Sequence, residues 1–213
     1  MDRYYPVFLR IKNRACIVIG GGNVATRKTL TLLQDGGIVT VISPVINEEL
    51  HKLANDGRVT WKQRQYQRGD LQAAFLAFAA TNSKEVNRQV CSEAEQQGVL
   101  VNSIDDSDLC DFIVPSRVDR GKLQIAISTS GASPALTKSI RQELETIFGD
   151  EYELFLDWMH RLRVWLLENE QSEQRRREIF HAAVQSPVLS LLRENRINEA
   201  KAIIHELVQQ EIL

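Results

Sequence analysis

The hydrophobic rhythm of the chain changes near its middle. Up to about residue 112, short apolar runs alternate with stretches of helical period. Ala15-Cys16-Ile17-Val18-Ile19 is unbroken apolar sequence, the pattern of a strand covered on both faces. Gly20-Gly21-Gly22-Asn23-Val24-Ala25 follows and opens a helix to about Gln34, stopped by Asp35-Gly36-Gly37. Ile38-Val39-Thr40-Val41-Ile42 predicts a second strand, which Pro44 ends. A helix from about Asn47 to Ala54, a short strand at Val59-Thr60-Trp61 and a strong strand over residues 75–80 come next. Ser83 is placed to cap a helix running to about Gln97, which Gly98 closes, and Val99-Leu100-Val101-Asn102 is a fifth strand. Strands alternating with helices call for right-handed crossovers, and so for a doubly wound α/β domain on a parallel sheet.

Beyond that point the pattern is different. Phe112-Ile113-Val114 and residues 123–128 read as strands, joined through Asp119-Arg120-Gly121-Lys122. Ser133 and Pro134 predict the cap and first position of a helix to about Phe148, with Leu136, Ile140, Leu144 and Ile147 on one stripe. From Asp150 the reading is helical throughout. Leu154, Phe155, Trp158, Leu162, Trp165 and Leu166 recur at helical spacing, and further amphipathic segments follow Glu173, Pro187 and Asn198. The expected organisation is an α/β domain over residues 1–112, a connector of strands plus a helix over 113–148, and a helical domain over 149–213.

Composition narrows the class. The chain has 213 residues with 26 basic and 28 acidic side chains, a net charge of -2, so a general attraction for nucleic acid is missing. No apolar run reaches membrane-spanning length, and the opening Met1-Asp2-Arg3-Tyr4-Tyr5-Pro6 lacks the charged-then-apolar pattern of a secretion signal. Cys16, Cys91 and Cys110 are too few and too widely spaced for a disulfide framework or a zinc motif. A cytoplasmic protein without nucleic-acid or membrane partners is expected.

The glycine turn carries the first chemistry. Gly20-x-Gly22-x-x-Ala25 sits between a buried strand and a helix, the context that a dinucleotide fingerprint requires. Gly20 permits the tight turn, Gly22 lets the backbone approach a pyrophosphate, and Ala25 lets the helix pack close to the strand. The helix N-terminus then offers free N–H groups and a positive dipole to the phosphates. The end of the second strand, Val41-Ile42-Ser43-Pro44, has neither an acid for a ribose 2′-hydroxyl nor an Arg for a 2′-phosphate. Ser43 and nearby backbone are left to hold the ribose, which favours NAD over NADP only mildly.

Tyr5-Pro6-Val7-Phe8-Leu9, the glycine turn with Arg27-Lys28, Ala79-Ala80-Thr81-Asn82 and Val86-Asn87 resemble the siroheme synthase dehydrogenase/ferrochelatase family, also called precorrin-2 dehydrogenases. Asn102-Ser103-Ile104-Asp105, Asp111-Phe112-Ile113-Val114-Pro115-Ser116 and Ser128-x-x-Gly131-x-Ser133-Pro134 follow in the family's order. The resemblance covers residues 5 to about 145. It implies a Rossmann domain, a dimerisation segment and a helical domain, acting as a homodimer. The implied activity is NAD-dependent oxidation of precorrin-2 to sirohydrochlorin, in some members followed by insertion of ferrous iron as a substrate. By the same resemblance Asn23 and Val24 meet the phosphates, Ser43, Pro44 and Val45 meet the cofactor beyond the second strand, and Thr81 and Asn82 lie at the ligand-binding edge. Asp105 matches the family's catalytic aspartate.

Dehydrogenation sends a hydride to the cofactor and a proton to a base, a task for which Asp105 is the candidate. Without the family match, Asp105-Asp106 would read as a solvated turn. The substrate is an anionic tetrapyrrole, so Arg27, Lys28, Arg117, Arg120, Lys138 and Arg141 are candidate partners for its carboxylates, although surface charge explains any one of them. Arg175-Arg176-Arg177 reads as a solvated helix face. His51, His160, His181 and His205 have no ligand spacing, Cys110 reads as a buried thiol, and no resident metal is expected. The rival reading is an NAD-sensing regulatory module without catalysis.

Overall fold

The computed structural model describes residues 4–209. Met1-Asp2-Arg3, at the opening read for a leader, and the last four residues of the expected helical domain lie outside them. The chain divides into two compact units, the first ending at Val114 and the second beginning at Pro115.

The first unit is built on β1 (Ala15–Ile19), β2 (Ile38–Ile42), β3 (Thr60–Lys62), β4 (Leu76–Ala79) and β5 (Leu100–Ser103). They form one parallel sheet in the order β3-β2-β1-β4-β5. Helices α1 (Asn23–Gln34), α2 (Glu48–Asn55) and α3 (Lys84–Gln97) make the crossovers. Alternate residues of β1 serve two cores. Cys16 and Val18 pack with Leu32, Leu50 and Phe78, while Ile17 and Ile19 pack with Leu71, Val90 and Val101. A strand covered on both faces must be apolar throughout, which is why β1 has its predicted limits. Asn47 caps α2 and Ser83 caps α3 through their side chains, and Gly98 closes α3 in the left-handed conformation.

The second unit opens with an antiparallel hairpin, β6 (Ser116–Arg120) and β7 (Leu123–Ile127), followed by α4 (Pro134–Ile147). Ser133 accepts from the Leu136 N–H and Pro134 occupies the first turn, as expected. Helices α5 (Glu151–Asn169), α6 (Glu173–Gln185), α7 (Val188–Arg193) and α8 (Ile197–Val208) enclose a core of Trp158, Leu162, Leu166, Ala183, Val188 and Ile204. Among the described residues no helix is long and apolar enough to cross a membrane.

Three expectations need correction. Phe112-Ile113-Val114 is not a strand; the Phe112 ring packs edge-on against Phe78 at 5.6 Å, and its carbonyl accepts from the Asn102 amide at 2.9 Å. Phe112 alone of the triplet packs against the first core, Val114 is exposed, and the ladder starts at Ser116. The hairpin turn is correspondingly tighter, with Asp119 and Arg120 still paired to Gln124 and Leu123. Leu154 is exposed, while Phe155, Trp158, Leu162 and Leu166 of the expected stripe are buried and Met159 joins them.

Leu162 is fully buried in the helical core. Leu162→Ala should therefore cost about 2–5 kcal/mol of stability through lost transfer energy and the residual cavity. Urea unfolding followed by tryptophan fluorescence checks it, and a loss below about 1 kcal/mol would show that the core closes over the hole.

Candidate functional site

The carboxyl ends of β1, β2 and β4 open onto a cavity of about 660 Å³. This is where strand order reverses from β1 to β4, the place where open parallel sheets take ligands. Gly20 to Val24 form its floor, Ser43, Pro44 and Val45 one wall, and Thr81, Asn82 and Ser83 another. All nine cofactor residues expected from the sequence line this one space.

The three glycines serve it differently. Gly20 has φ +125°, and a Cβ there would overlap the Ala80 carbonyl oxygen and lie 2.7 Å from its carbon. A Cβ on Gly21 would overlap the Val45 carbonyl oxygen. Gly22 meets nothing within 4 Å. The first two let the turn pass between its neighbours; the third leaves open space beside the start of α1.

That start lacks a capping side chain and has no acid in its first turn. The first N–H groups of a helix have no carbonyl above them, so those of α1 are available, with the positive end of the helix, to an anionic ligand. The turn is held rigidly. The Asn47 N–H donates to the Gly21 carbonyl at 3.0 Å, and the Asn47 amide donates to the Thr26 hydroxyl at 2.8 Å and to Asn23 Oδ1 at 3.4 Å. These donors and this open space fit the pyrophosphate of a dinucleotide.

Ser43 is largely occupied with shaping its own loop. Its hydroxyl donates to the Val45 carbonyl at 2.6 Å, and its carbonyl accepts from Trp61 Nε1 at 2.9 Å. Across the cavity the Thr81 hydroxyl donates to Asn87 Oδ1 at 2.8 Å, and the Asn87 amide returns a bond to the Thr81 carbonyl at 3.0 Å. Asn87 is buried on α3.

Asp105 is exposed just after β5, next to Ile104, which lines the cavity. Its carboxylate accepts from the Ser103 hydroxyl at 2.6 Å. That bond, helped by the Asn87 amide and the Lys84 charge, holds its carboxyl below the usual aspartate range. Asp105 is thus ionised and oriented at neutral pH. Asp106 differs: its carboxylate accepts from the Asp108 N–H at 3.2 Å and shapes the following turn. Burial pushes the Cys110 thiol up, and its sulfur accepts from the Ser103 N–H at 3.1 Å, so it is a protonated structural thiol.

The candidate substrate cations are mostly engaged. Lys28 stacks over the Phe78 ring at 5.0 Å. In the second unit Arg120 reaches the Phe148 carbonyl at 3.0 Å and Asp150 at 3.2 Å, Arg117 lies 3.7 Å from Asp119, and Arg141 pairs with Glu145. Lys138 lies on α4. Among the described residues no group of three or more His, Cys, Asp or Glu is arranged to hold a metal ion.

Sequence reasoning passed over several residues at the site. Gln65 and Tyr66 line the cavity from the loop after β3, and Ser83, Val86 and Ile104 complete its rim. Asn87 was visible only as part of a motif, without its bracing role. A two-residue contribution from a loop has no periodic signal to betray it.

A 3-2-1-4-5 parallel sheet with a glycine turn and an uncapped helix at its switch point defines a dinucleotide-binding domain. The family described as "Putative NAD(P)-binding" matches residues 7–116, just over half of the chain, and the chain belongs to that family. A second model, "Sirohaem biosynthesis protein central", matches residues 120–146. The siroheme synthase of Nitrosococcus oceani is 34% identical over 97% of this chain and 44% of its own length. That of Nitrosomonas europaea is 36% identical over the same shares. The chain thus spans less than half the length of these relatives. A solved structure entitled "SirC, precorrin-2 dehydrogenase" is similar with a TM-score of 0.81 and 28% identity, over 97% of this chain and all of that one.

Because a side chain on Gly22 meets open space, Gly22→Asp should fold normally and lose NAD binding by repelling the pyrophosphate. Gly20→Ala should lose thermal stability instead, since its Cβ collides with backbone. Thermal unfolding with calorimetric NAD titration separates the two; NAD binding by Gly22→Asp at the parent's affinity would place the cofactor elsewhere.

Proposed function

We propose that the chain is an NAD-dependent dehydrogenase that oxidises precorrin-2 to sirohydrochlorin, acting in the cytoplasm as a homodimer. The observation that carries this reading is an ionised, oriented carboxylate, Asp105, on the same sheet edge as a cradle suited to a dinucleotide. The name of the similar solved structure supports the choice of substrate.

Bound NAD supplies the hydride acceptor. Gly22, Asn23 and Val24 would hold its phosphates through backbone donors, and Ser43 to Val45 and Thr81-Asn82 would line the rest of its site. As the hydride leaves, positive charge develops on the macrocycle and its adjacent proton becomes acidic. Asp105, fixed by Ser103 and Asn87, faces that charge as an anion and takes the proton. A carboxylate with a lowered pKa is a weak base toward a neutral carbon acid, but it is sufficient once hydride departure has acidified the substrate. Insertion of ferrous iron also requires loss of pyrrole protons, and we assign that proton transfer to Asp105 as well. Arg117, Arg120, Lys138 and Arg141 are proposed to meet substrate carboxylates, with Lys138 the one that has no ion-pair partner among the described residues.

Asp105→Ala should reduce NADH formation from precorrin-2 by about 10²- to 10⁴-fold while leaving NAD affinity nearly intact. Asp106→Ala should have a small effect. Because the folded-state pKa of Asp105 is depressed, parent activity should persist as pH falls until below the usual carboxylate range. Ser103→Ala removes the largest cause of that depression, so its acid limb should move to higher pH. Equal rates for Asp105→Ala and the parent at saturating substrates would remove the assigned role.

Pairing is proposed through residues 113–148, with 1–112 as the cofactor domain and 149–213 as the helical domain. No residue of α4 is buried, and Leu136 and Ile147 of its stripe are 51% and 49% exposed. A two-stranded hairpin with an uncovered apolar helix gains stability by pairing across a two-fold axis. Sedimentation at micromolar concentration should give the dimer mass for the parent and the monomer mass for Leu136→Asp/Ile147→Asp. A monomeric parent would contradict the assignment.

A further inference from the structure

Two buried carboxylates are committed to one short loop of the first unit. Asp70, with a side chain 5% exposed, accepts from both terminal nitrogens of Arg64 at 2.7 and 2.5 Å, from the Gln67 N–H at 2.9 Å and from Lys62 at 3.4 Å. Glu93, on α3 and 3% exposed, accepts from the Tyr66 hydroxyl at 2.5 Å, from the N–H groups of Gly69 and Leu71 at 2.9 and 3.0 Å, and from the Gln97 amide at 2.9 Å. Burial alone would raise the Glu93 carboxyl, but these donations outweigh it and hold it low; the Arg64 bonds do the same for Asp70. Buried carboxylates are costly unless their lone pairs are all engaged, and here the engagement is complete. Both anchor residues 62–71.

What this anchored loop presents to the cavity is Gln65 and Tyr66. The Gln65 carbonyl accepts from Arg64 at 2.9 Å, which fixes its backbone. Its side-chain amide makes no hydrogen bond among the described residues. The Tyr66 hydroxyl is committed to Glu93, and its ring packs against the core cluster that contains Ile19 and Ile42, with Val86 beside that cluster. The loop departs alongside the end of β2: the Ser43 N–H donates to the Lys62 carbonyl at 3.3 Å, and Trp61 bonds the Ser43 carbonyl. The end of β2 is where a dinucleotide site ordinarily carries its ribose-holding acid, and this chain has Ser43 there, with its hydroxyl already donated to Val45.

We propose that Gln65 and Tyr66 form the adenosine half of the dinucleotide site, the Gln65 amide bonding the ribose hydroxyls and the Tyr66 ring packing against the adenine. The assignment rests on reading the cavity as the NAD site. An amide both donates and accepts, which suits a diol. Being neutral, it holds the ribose without the charge repulsion that an acid directs at a 2′-phosphate. Discrimination between NAD and NADP therefore rests on one exchangeable side chain on a rigid support.

Calorimetric titration with NAD⁺, NADP⁺ and ADP-ribose tests this. Gln65→Ala should weaken NAD⁺ and ADP-ribose alike by about 3- to 10-fold, the worth of one ordinary hydrogen bond. Gln65→Arg should raise affinity for NADP⁺ relative to NAD⁺ by about tenfold. Tyr66→Ala should weaken both ligands further, and Gln67→Ala, on the same loop but outside the cavity lining, should match the parent. Gln65 is exposed, so its variants keep the test valid if Tyr66→Ala loses its fold through the stranded Glu93. Normal NAD⁺ binding by the parent with unchanged affinities in both Gln65 variants would overturn the loop assignment alone. Weakening of NAD⁺ without ADP-ribose would also overturn it by moving the contact to the nicotinamide end. A parent that binds neither ligand would overturn the NAD reading together with it.

Discussion

The close passage of the β1–α1 turn against the end of β4 governs the site. Gly20 adopts φ +125° with the Ala80 carbonyl where a side chain would stand. Only that approach lets the chain leave the buried strand, turn within three residues and start α1 with its N-terminus directed along the sheet's carboxyl edge. Gly21 makes the second half of the passage under Val45, and Asn47 then ties the turn to the loop after β2. The open N–H groups at the start of α1 are consequently fixed in advance, so binding of an anion there does not have to order them. A larger residue at Gly20 would move the helix start, and the rest of the cavity with it.

Charge is distributed around this frame with distinct purposes. Glu93 and Asp70 are buried, fully bonded and structural; they stiffen one wall. Asp105 is exposed and has only enough hydrogen bonding to stay ionised and aimed. Within the first unit the α1 terminus is left uncapped, whereas α2 and α3 each have a side-chain cap. With Gly22 at the N-cap the missing side-chain cap costs only about a few tenths of a kcal/mol, and its open N–H groups stay available to an anion.

Much of this was legible in the chain. An unbroken apolar run located β1 because a doubly covered strand tolerates nothing else, a β-branched run located β2, and Ser83, Gly98 and Ser133 marked helix ends by local chemistry alone. The nine residues expected at the cofactor line one cavity because turn, strand end and helix start are all local features. Phe112-Ile113-Val114 misled because its one core residue, Phe112, packs on Phe78, which is distant in sequence, and Val114 is left exposed. Tyr66 and Glu93 were invisible for a similar reason, being 27 residues apart and one acid among many. Periodicity revealed the apolar stripe of α4, and the small size of the connector already implied that this stripe would not be covered from within it, as the exposure of Leu136 and Ile147 bears out.

The central claim is that this cavity directs hydride transfer from a reduced tetrapyrrole to NAD. Its most direct measurement is a single-turnover experiment in which the NAD⁺-loaded protein is mixed with precorrin-2, with NADH and sirohydrochlorin followed by absorbance. The account predicts that both appear together, one NADH for each precorrin-2 oxidised. Bound NAD⁺ that stays oxidised while precorrin-2 persists, or sirohydrochlorin formed without NADH, would contradict it.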